Sequence, residues 1–431
     1  MKKVMSILLV LSVLGLTACG KTEHVPPSTD SLVDYNAEEV SIDLWSFPIG
    51  NWSDRNIASS VITEFNEVHP NINVNLKFLD YTTGDQQIAD AIAEGNGPDI
   101  IFEGPERLII DYAANNRLAP MDDLWSEYYA STIAANIADA CKYDDTYYMM
   151  PLCASAHCMV INKEMFNASG ALQLIDKDKR TWSADDFFTA LDLLSDWGVK
   201  YPCIIYCKDQ SGDQGTRALL NNLSGGSFTN REHTAYSVNS QEYASTLTQL
   251  QENDNVHFMP EMGASDAINA FCDEEAAMLF CWNISLSTTN EIARQNITFE
   301  TMPVNFPTAD TEVLPRLDHG FWGFCVFDNG DEGKIEASKM LVKELTADTA
   351  VHEKAVIATN CWPVISCKDI YVNDARMEEY SMFLNNIGDF YQVTDNWSAA
   401  RSAWWQILQE IGAGTDVTTA LQHFDDLLLK E

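Results

Sequence analysis

The chain has 431 residues, with 26 Lys and Arg against 64 Asp and Glu, a formal charge of −38. That excess of acid excludes a simple nucleic-acid binder, whose affinity comes from cations that neutralise phosphates. Apolar residues make up 46% and charged ones 21%, which is ordinary globular composition and too apolar for an intrinsically disordered chain. At roughly 100–200 residues per domain, about two or three domains are expected.

Lys2 and Lys3 precede an apolar run from Val4 to Leu16 that ends in Leu16-Thr17-Ala18-Cys19-Gly20. This is the layout of a secretory signal, and the run falls short of the ~20 residues a transmembrane helix needs. Leu16-Thr-Ala-Cys19 resembles a bacterial lipobox, which implies removal of residues 1–18 and lipidation of Cys19. Residues 19–39, with Pro26-Pro27-Ser28-Thr29 and scattered charge, read as a spacer between the lipid and the folded chain. Gly15 to Thr22 also fits the phosphate-loop pattern G-x-x-x-x-G-K-[ST], but it straddles the cleavage point without the strand and helix such a loop requires.

Val40, Ile42 and Leu44 alternate with polar residues up to Trp45-Ser46-Phe47-Pro48, a strand opening into an aromatic loop. Ile57, Val61, Ile62, Phe65 and Val68 share one helical face, stopped at His69-Pro70. Ile72, Val74, Leu76 and Phe78 make a second strand ending at Asp80-Tyr81. A helix near Asp85 to Ala93 and the short strand Ile100-Ile101-Phe102, running into Glu103-Gly104-Pro105, follow; Leu108 to Ala114 is helical again. This β-α-β-α-β order predicts a parallel sheet whose ligands lie beyond the carboxyl ends of its strands, where Trp45, Phe47, Tyr81 and Glu103 fall.

Farther on, Tyr147 to Pro151 leads into an apolar stretch from Met159. Ser183 with Asp186 signals a helix start, and Gly198 ends that helix. Tyr201 to Cys207, Ala276 to Asn283 and Gly320 to Phe327 read as strands, and helices dominate from Glu378 onward, the middle one carrying Trp397, Arg401, Trp404 and Trp405.

Ten cysteines follow Cys19, none in a Cys-x-x-Cys pair, so neither a zinc knuckle nor a thioredoxin-like site is expected. Their even number permits disulfides in an exported chain, but buried free thiols are the favoured reading. No G-x-S-x-G occurs, and Val356 stands where H-E-x-x-H would need its second histidine. Asp328-Asn-Gly-Asp-Glu-Gly333 imitates the start of a calcium loop, yet Gly330 and Lys339 occupy ligand positions, so it reads as a surface turn. No cofactor or metal is expected.

Binding signals are stronger. Of 11 tryptophans, Trp45, Trp52, Trp282, Trp322, Trp362 and Trp397 fall at predicted strand ends or loops. Aromatic faces suit the apolar C–H face of a pyranose, with each ring burying about 150–250 Å² at roughly 25 cal/mol per Å². The sugar hydroxyls then need polar partners, for which Asp80, Glu103, Asn283 and Arg401 are the candidates. The acid excess disfavours an anionic ligand and favours a neutral sugar.

In their order along the chain, the Leu-Thr-Ala-Cys19 motif, Leu44-Trp45-Ser46, Phe65-Asn-Glu-Val-His69-Pro70, Gly97-Pro98-Asp99-Ile-Ile-Phe102, Ile161-Asn162-Lys163-Glu-Met-Phe166, Thr181-Trp182, Ala277-Met278 and Gly320-Phe-Trp-Gly323 resemble the family-1 carbohydrate-binding lipoproteins of ATP-binding-cassette importers, the group that includes maltose-binding protein. The resemblance implies an α/β fold of two lobes, with a hinge crossed more than once and sugar held in the cleft between them. It further implies no catalysis, a monomer tethered through Cys19, and a permease partner with a cytoplasmic ATPase. The lobes are expected over residues 40–152 with about 285–345, and 153–284 with about 346–431. Trp45, Tyr81 and Glu103 would meet the ligand from the first lobe, Trp282, Asn283, Trp362 and Trp397 from the second, with Trp322 near the hinge. Two alternatives stay open: a secreted glycoside hydrolase, and the same fold binding a polyamine or a glycerol phosphodiester.

Overall fold

The computed structural model describes residues 38–429, apart from positions 82, 311, 319, 348, 366, 368, 369 and 389. The expected signal peptide, the lipidation site Cys19 and the spacer up to residue 37 lie outside the described residues. The alternation at the start of the described chain becomes the strand Val40–Ser46, paired in parallel with Ile72–Phe78 on one side and Ile100–Glu103 on the other. Crossovers run through the helices Arg55–Val68 and Gly84–Ala93. The first buries Ala58, Val61, Ile62 and Phe65, the face its periodicity predicts.

Three antiparallel strands from distant parts of the chain widen this sheet. Phe321–Val326 joins Ile100–Glu103, Met150–Ala154 joins it in turn, and Trp362–Pro363 forms the edge. A second sheet places Cys158–Asn162 between Met278–Trp282 and Thr301–Val304, all antiparallel. The Ser183 signal is a full capping box: Ser183 Oγ accepts from the Asp186 amide at 3.1 Å, and the Asp186 carboxylate accepts from the Ser183 amide at 3.2 Å. The segment Leu108–Ala113 is a wide π-helical turn and not an α-helix.

Apolar residues divide into two buried cores. Ile42 to Ala154 and Phe321 to Ile365 build one; Ala156 to Leu317 and Met377 to Phe424 build most of the other. The chain therefore passes between lobes near 155, 319 and 370. At the first two passages the crossing segments lie side by side, with the Ser155 amide donating to Gly320 O at 2.6 Å and the His157 amide to Asp318 O at 3.4 Å. These boundaries differ from the expected ones. Residues 285–306 pack with the second core because Thr301–Val304 pairs with Cys158–Asn162, and Val351 to Ile365 packs with the first because the helix Ala350–Thr359 lies on Arg55–Val68.

Asp331 caps the helix Glu332–Thr346, while Asn329 and Lys334 both reach the Asp99 carboxylate, so the calcium-like stretch is a structural turn. Among the described residues no group of His, Cys, Asp and Glu is placed to hold a metal, and no helix is long and apolar enough to cross a membrane.

Candidate functional site

A cavity of about 670 Å³ lies between the two cores. Its first wall comes from the loop after Val40–Ser46, from Tyr81, and from the turn that follows Ile100–Glu103. In that turn Pro105 occupies the first helical position, where its missing N–H costs nothing, and one turn of helix then carries Glu106 and Arg107 to the cavity. Gly50 belongs to the same wall. Its φ of +50° and the carbonyl of Thr359, 1.7 Å from where a Cβ would stand, leave room for no other residue.

Arg107 organises this wall. Its Nη1 donates to Glu103 Oε1 at 3.0 Å, its Nε pairs with Asp85 at 3.0 Å, and its guanidinium lies 5.0 Å from the Phe47 ring centre and 5.5 Å from that of Tyr81. Phe47 stacks on Tyr81 at 5.2 Å. Glu103 is 2% exposed, and its Oε2 has no hydrogen-bond partner among the described residues. Burial pushes its pKa up to about 7, against the pull of Arg107.

The opposite wall is set by the start of the helix Asp213–Ser224, the turn Gln210–Gly212 before it, the end of Met278–Trp282 and the helix Trp397–Gly412. Asp213 is 1% exposed; Arg401 from the last of these helices and Arg217, at 3.0 Å, both engage its Oδ2. Arg217 also approaches Asp318 at 3.6 Å, and Asp318 accepts from Tyr391 Oη at 3.1 Å and Gln392 Nε2 at 2.7 Å. A chain of alternating charge thus runs from the cavity to the interlobe crossing. Trp322, half-buried, and His157, their ring centres 6.4 Å apart, line the cavity near that crossing.

Of the residues expected from sequence, the structure brings Tyr81, Glu103, Asn283, Trp322 and Arg401 together on this cavity. Others are placed differently. Trp52 is 0% exposed between Phe102 and Phe324; Trp282 is 1% exposed and donates from Nε1 to Tyr380 Oη at 2.8 Å. Trp45 is buried beneath Lys77, Trp397 packs with Phe228, Tyr391 and Arg217, and Phe47 is buried beneath Tyr81. Asp80 accepts from the Thr83 amide and hydroxyl at 2.8 Å, fixing the turn before Gly84–Ala93. Trp362 hydrogen-bonds along the edge of the first sheet and lines a separate groove with Cys367, Tyr371 and Met377. Position at a strand end says that a residue is near the cleft but not which side of the pleat it takes, and large rings go to the side that buries them.

Glu106, Arg107, Gln210 and Asp213 were missed. The i,i+4 pairs Glu103–Arg107 and Asp213–Arg217 were the available signal. All ten described cysteines are free, and all are buried except the half-buried Cys281 and Cys367.

Among solved structures the chain is similar to an ABC substrate-binding protein from Listeria monocytogenes in complex with cycloalternan, at 18% identity and a TM-score of 0.70, covering 91% of this chain and 99% of that one. The GacH receptor of Streptomyces glaucescens, described unliganded and with acarbose, matches at 16% identity and a TM-score of 0.70 over 92% and 100%. The maltose/maltodextrin-binding domain from Bdellovibrio bacteriovorus bound to maltotriose matches at 17% and 0.68 over 90% and 99%. No curated protein sequence matches. These likenesses establish the two-lobe α/β fold. The family described as bacterial extracellular solute-binding protein, a family of binding proteins and not of enzymes, matches residues 60–367, and the chain belongs to it.

Proposed function

We propose that this protein binds an oligosaccharide in the interlobe cavity and delivers it to an ABC import permease, from the outer face of the cell membrane to which Cys19 tethers it as a lipoprotein monomer. The observation that carries the reading is the cavity itself: half-buried Trp322 and exposed Tyr81 offer aromatic faces, while Glu103 and Asp213 stand on opposite walls with buried carboxylate oxygens that lack partners among the described residues. Such oxygens ask for hydroxyl or N–H donors from a ligand. A volume of about 670 Å³ is that of a small-molecule site. The three structural neighbours named above are described with cycloalternan, acarbose and maltotriose, which supports a sugar. The other oxygen of each carboxylate is held by an arginine, which fixes where the free oxygen stands.

Thermal midpoints of residues 20–431 against neutral oligosaccharides, monosaccharides, sugar phosphates and polyamines test this reading. A ligand that binds only the folded chain adds about 2.7 kcal/mol at a hundredfold excess over Kd. A rise with one oligosaccharide class, recovered intact, is expected. A rise with polyamine alone would overturn the sugar, and shortened sugar would overturn the absence of catalysis.

A further inference from the structure

The two walls of the cavity differ in how far their buried charge is compensated. On the second wall Asp213 shares its Oδ2 between two arginines, Arg217 at 3.0 Å and Arg401. On the first wall a single arginine serves two acids: Arg107 donates to Glu103 Oε1 at 3.0 Å and pairs with Asp85 at 3.0 Å. Glu106, in the same turn of helix as Arg107, brings a further carboxylate to the cavity. Glu103 is the most deeply buried of these acids at 2% exposed, lines the cavity, and has no hydrogen-bond partner for Oε2 among the described residues. A buried carboxylate is stable as an anion only when it is both paired and hydrogen-bonded. Burial pushes the Glu103 pKa up to about 7 in spite of Arg107, so the arginine compensates it only in part.

Building on the oligosaccharide reading of this cavity, we propose that the sugar it takes is an amino sugar, whose protonated amine donates to Glu103 Oε2 while a hydroxyl donates to Asp213 Oδ1. An ammonium brings both things Glu103 lacks, a donor for Oε2 and a positive charge, whereas a hydroxyl brings only the donor. Hydrogen bonds with an ionised partner on both sides are roughly twice as strong as neutral ones. Asp213 lacks only the donor, because its charge is already met by Arg217 and Arg401. The formal charge of −38 adds long-range attraction for a cation. The half-buried ring of Trp322 and the exposed ring of Tyr81 favour an amino sugar over an aliphatic polyamine, since a pyranose has a flat C–H face to lay on them and a polyamine has none.

The test is titration calorimetry of residues 20–431 at neutral pH with the β-1,4-linked trimers of glucosamine, N-acetylglucosamine and glucose, which differ only in the group on the second carbon of each ring. The glucosamine trimer is expected to bind about tenfold tighter than either of the others, the gap between a charge-assisted and a neutral hydrogen bond. Glu103→Gln should remove that preference, and Asp213→Asn should weaken all the trimers that bind by a similar factor. Circular dichroism establishes that each variant is folded, and the wild-type ranking decides the matter if either is not. Equal or tighter binding of the glucose or acetylated trimer, or no binding of the glucosamine trimer, would overturn the amine and leave the oligosaccharide reading standing. A preference that survives Glu103→Gln would overturn the role given to Glu103. Binding of spermidine with none of the three trimers would overturn both the amino sugar and the oligosaccharide reading beneath it.

Discussion

The side-chain amide of Gln210 donates to the backbone carbonyl of Tyr81 at 3.3 Å, joining the two walls of the cavity. Both residues line it, one from each lobe, so the bond forms only when the lobes are together. A single hydrogen bond contributes about 0.5–1.5 kcal/mol net. Gln210→Ala should therefore raise the ligand dissociation rate by roughly 3–10-fold in stopped-flow fluorescence while the thermal midpoint of the free protein stays put. An unchanged off-rate would mean that the contact does not hold the lobes closed.

Trp322 and Trp282 should separate binding from stability. Trp322 presents a half-buried ring to the cavity, so Trp322→Ala should weaken sugar binding by about 10–100-fold with a smaller effect on folding. Trp282 is buried against Phe271 and bonded to Tyr380, so Trp282→Ala should cost about 3–5 kcal/mol of stability. Trp282→Phe should keep affinity within about twofold, since only a packed ring and one hydrogen bond change. Titration calorimetry and urea unfolding on all three variants check the pattern, which fails if Trp282→Phe loses binding and Trp322→Ala does not.

Glu103 predicts a pH dependence of defined sign. Its carboxyl ionises near 4.5 in the unfolded chain and near 7 when buried, so between these values the folded state holds a proton that the unfolded state has released. Stability should fall as pH rises through this window, by up to about 1.4 kcal/mol per unit, with the loss complete above pH 7. Glu103→Gln should flatten that slope in urea titrations between pH 5 and 7. Sugar affinity in the wild type should rise as pH passes through about 7, where the folded carboxyl ionises and becomes the better acceptor, and stay level in the variant.

Arg217 sits 2% exposed between Asp213 and Asp318. Removing it leaves two buried carboxylates facing each other with less compensation, and Arg217→Met should destabilise the fold by about 3–5 kcal/mol in urea unfolding. Arg217→Met with Asp318→Asn should recover part of the loss. A double variant no more stable than the single one would show that Asp318 is satisfied by Tyr391 and Gln392 alone.

The aromatic reading illustrates what local pattern can and cannot carry. Trp45 and Trp282 do sit where strands end, as read, and Trp52 in the short turn Gly50–Ser53 beyond one, yet their rings enter the cores, and the cavity is lined instead by Trp322 and Tyr81 beside polar residues the reading passed over. A tryptophan gains more from full burial than from lining a wet cleft. For Asp213 the sequence offered only the i,i+4 pair with Arg217, because its other partner, Arg401, lies 188 residues away.

Period and punctuation in the sequence alone determined the opening β-α-β-α-β unit, the Ser183 capping box, the family resemblance and an acid-rich chain suited to export, since these follow from contacts between residues close along the chain. Tertiary structure decided the rest. The strands Phe321–Val326, Met150–Ala154 and Trp362–Pro363 find one another across hundreds of residues, and their register selects which side chains face the cavity. The two walls meet through Gln210 and Tyr81, and Arg401 meets Asp213 within the second wall, because closing long loops costs little more entropy than closing short ones, and that cost carries no mark in local composition.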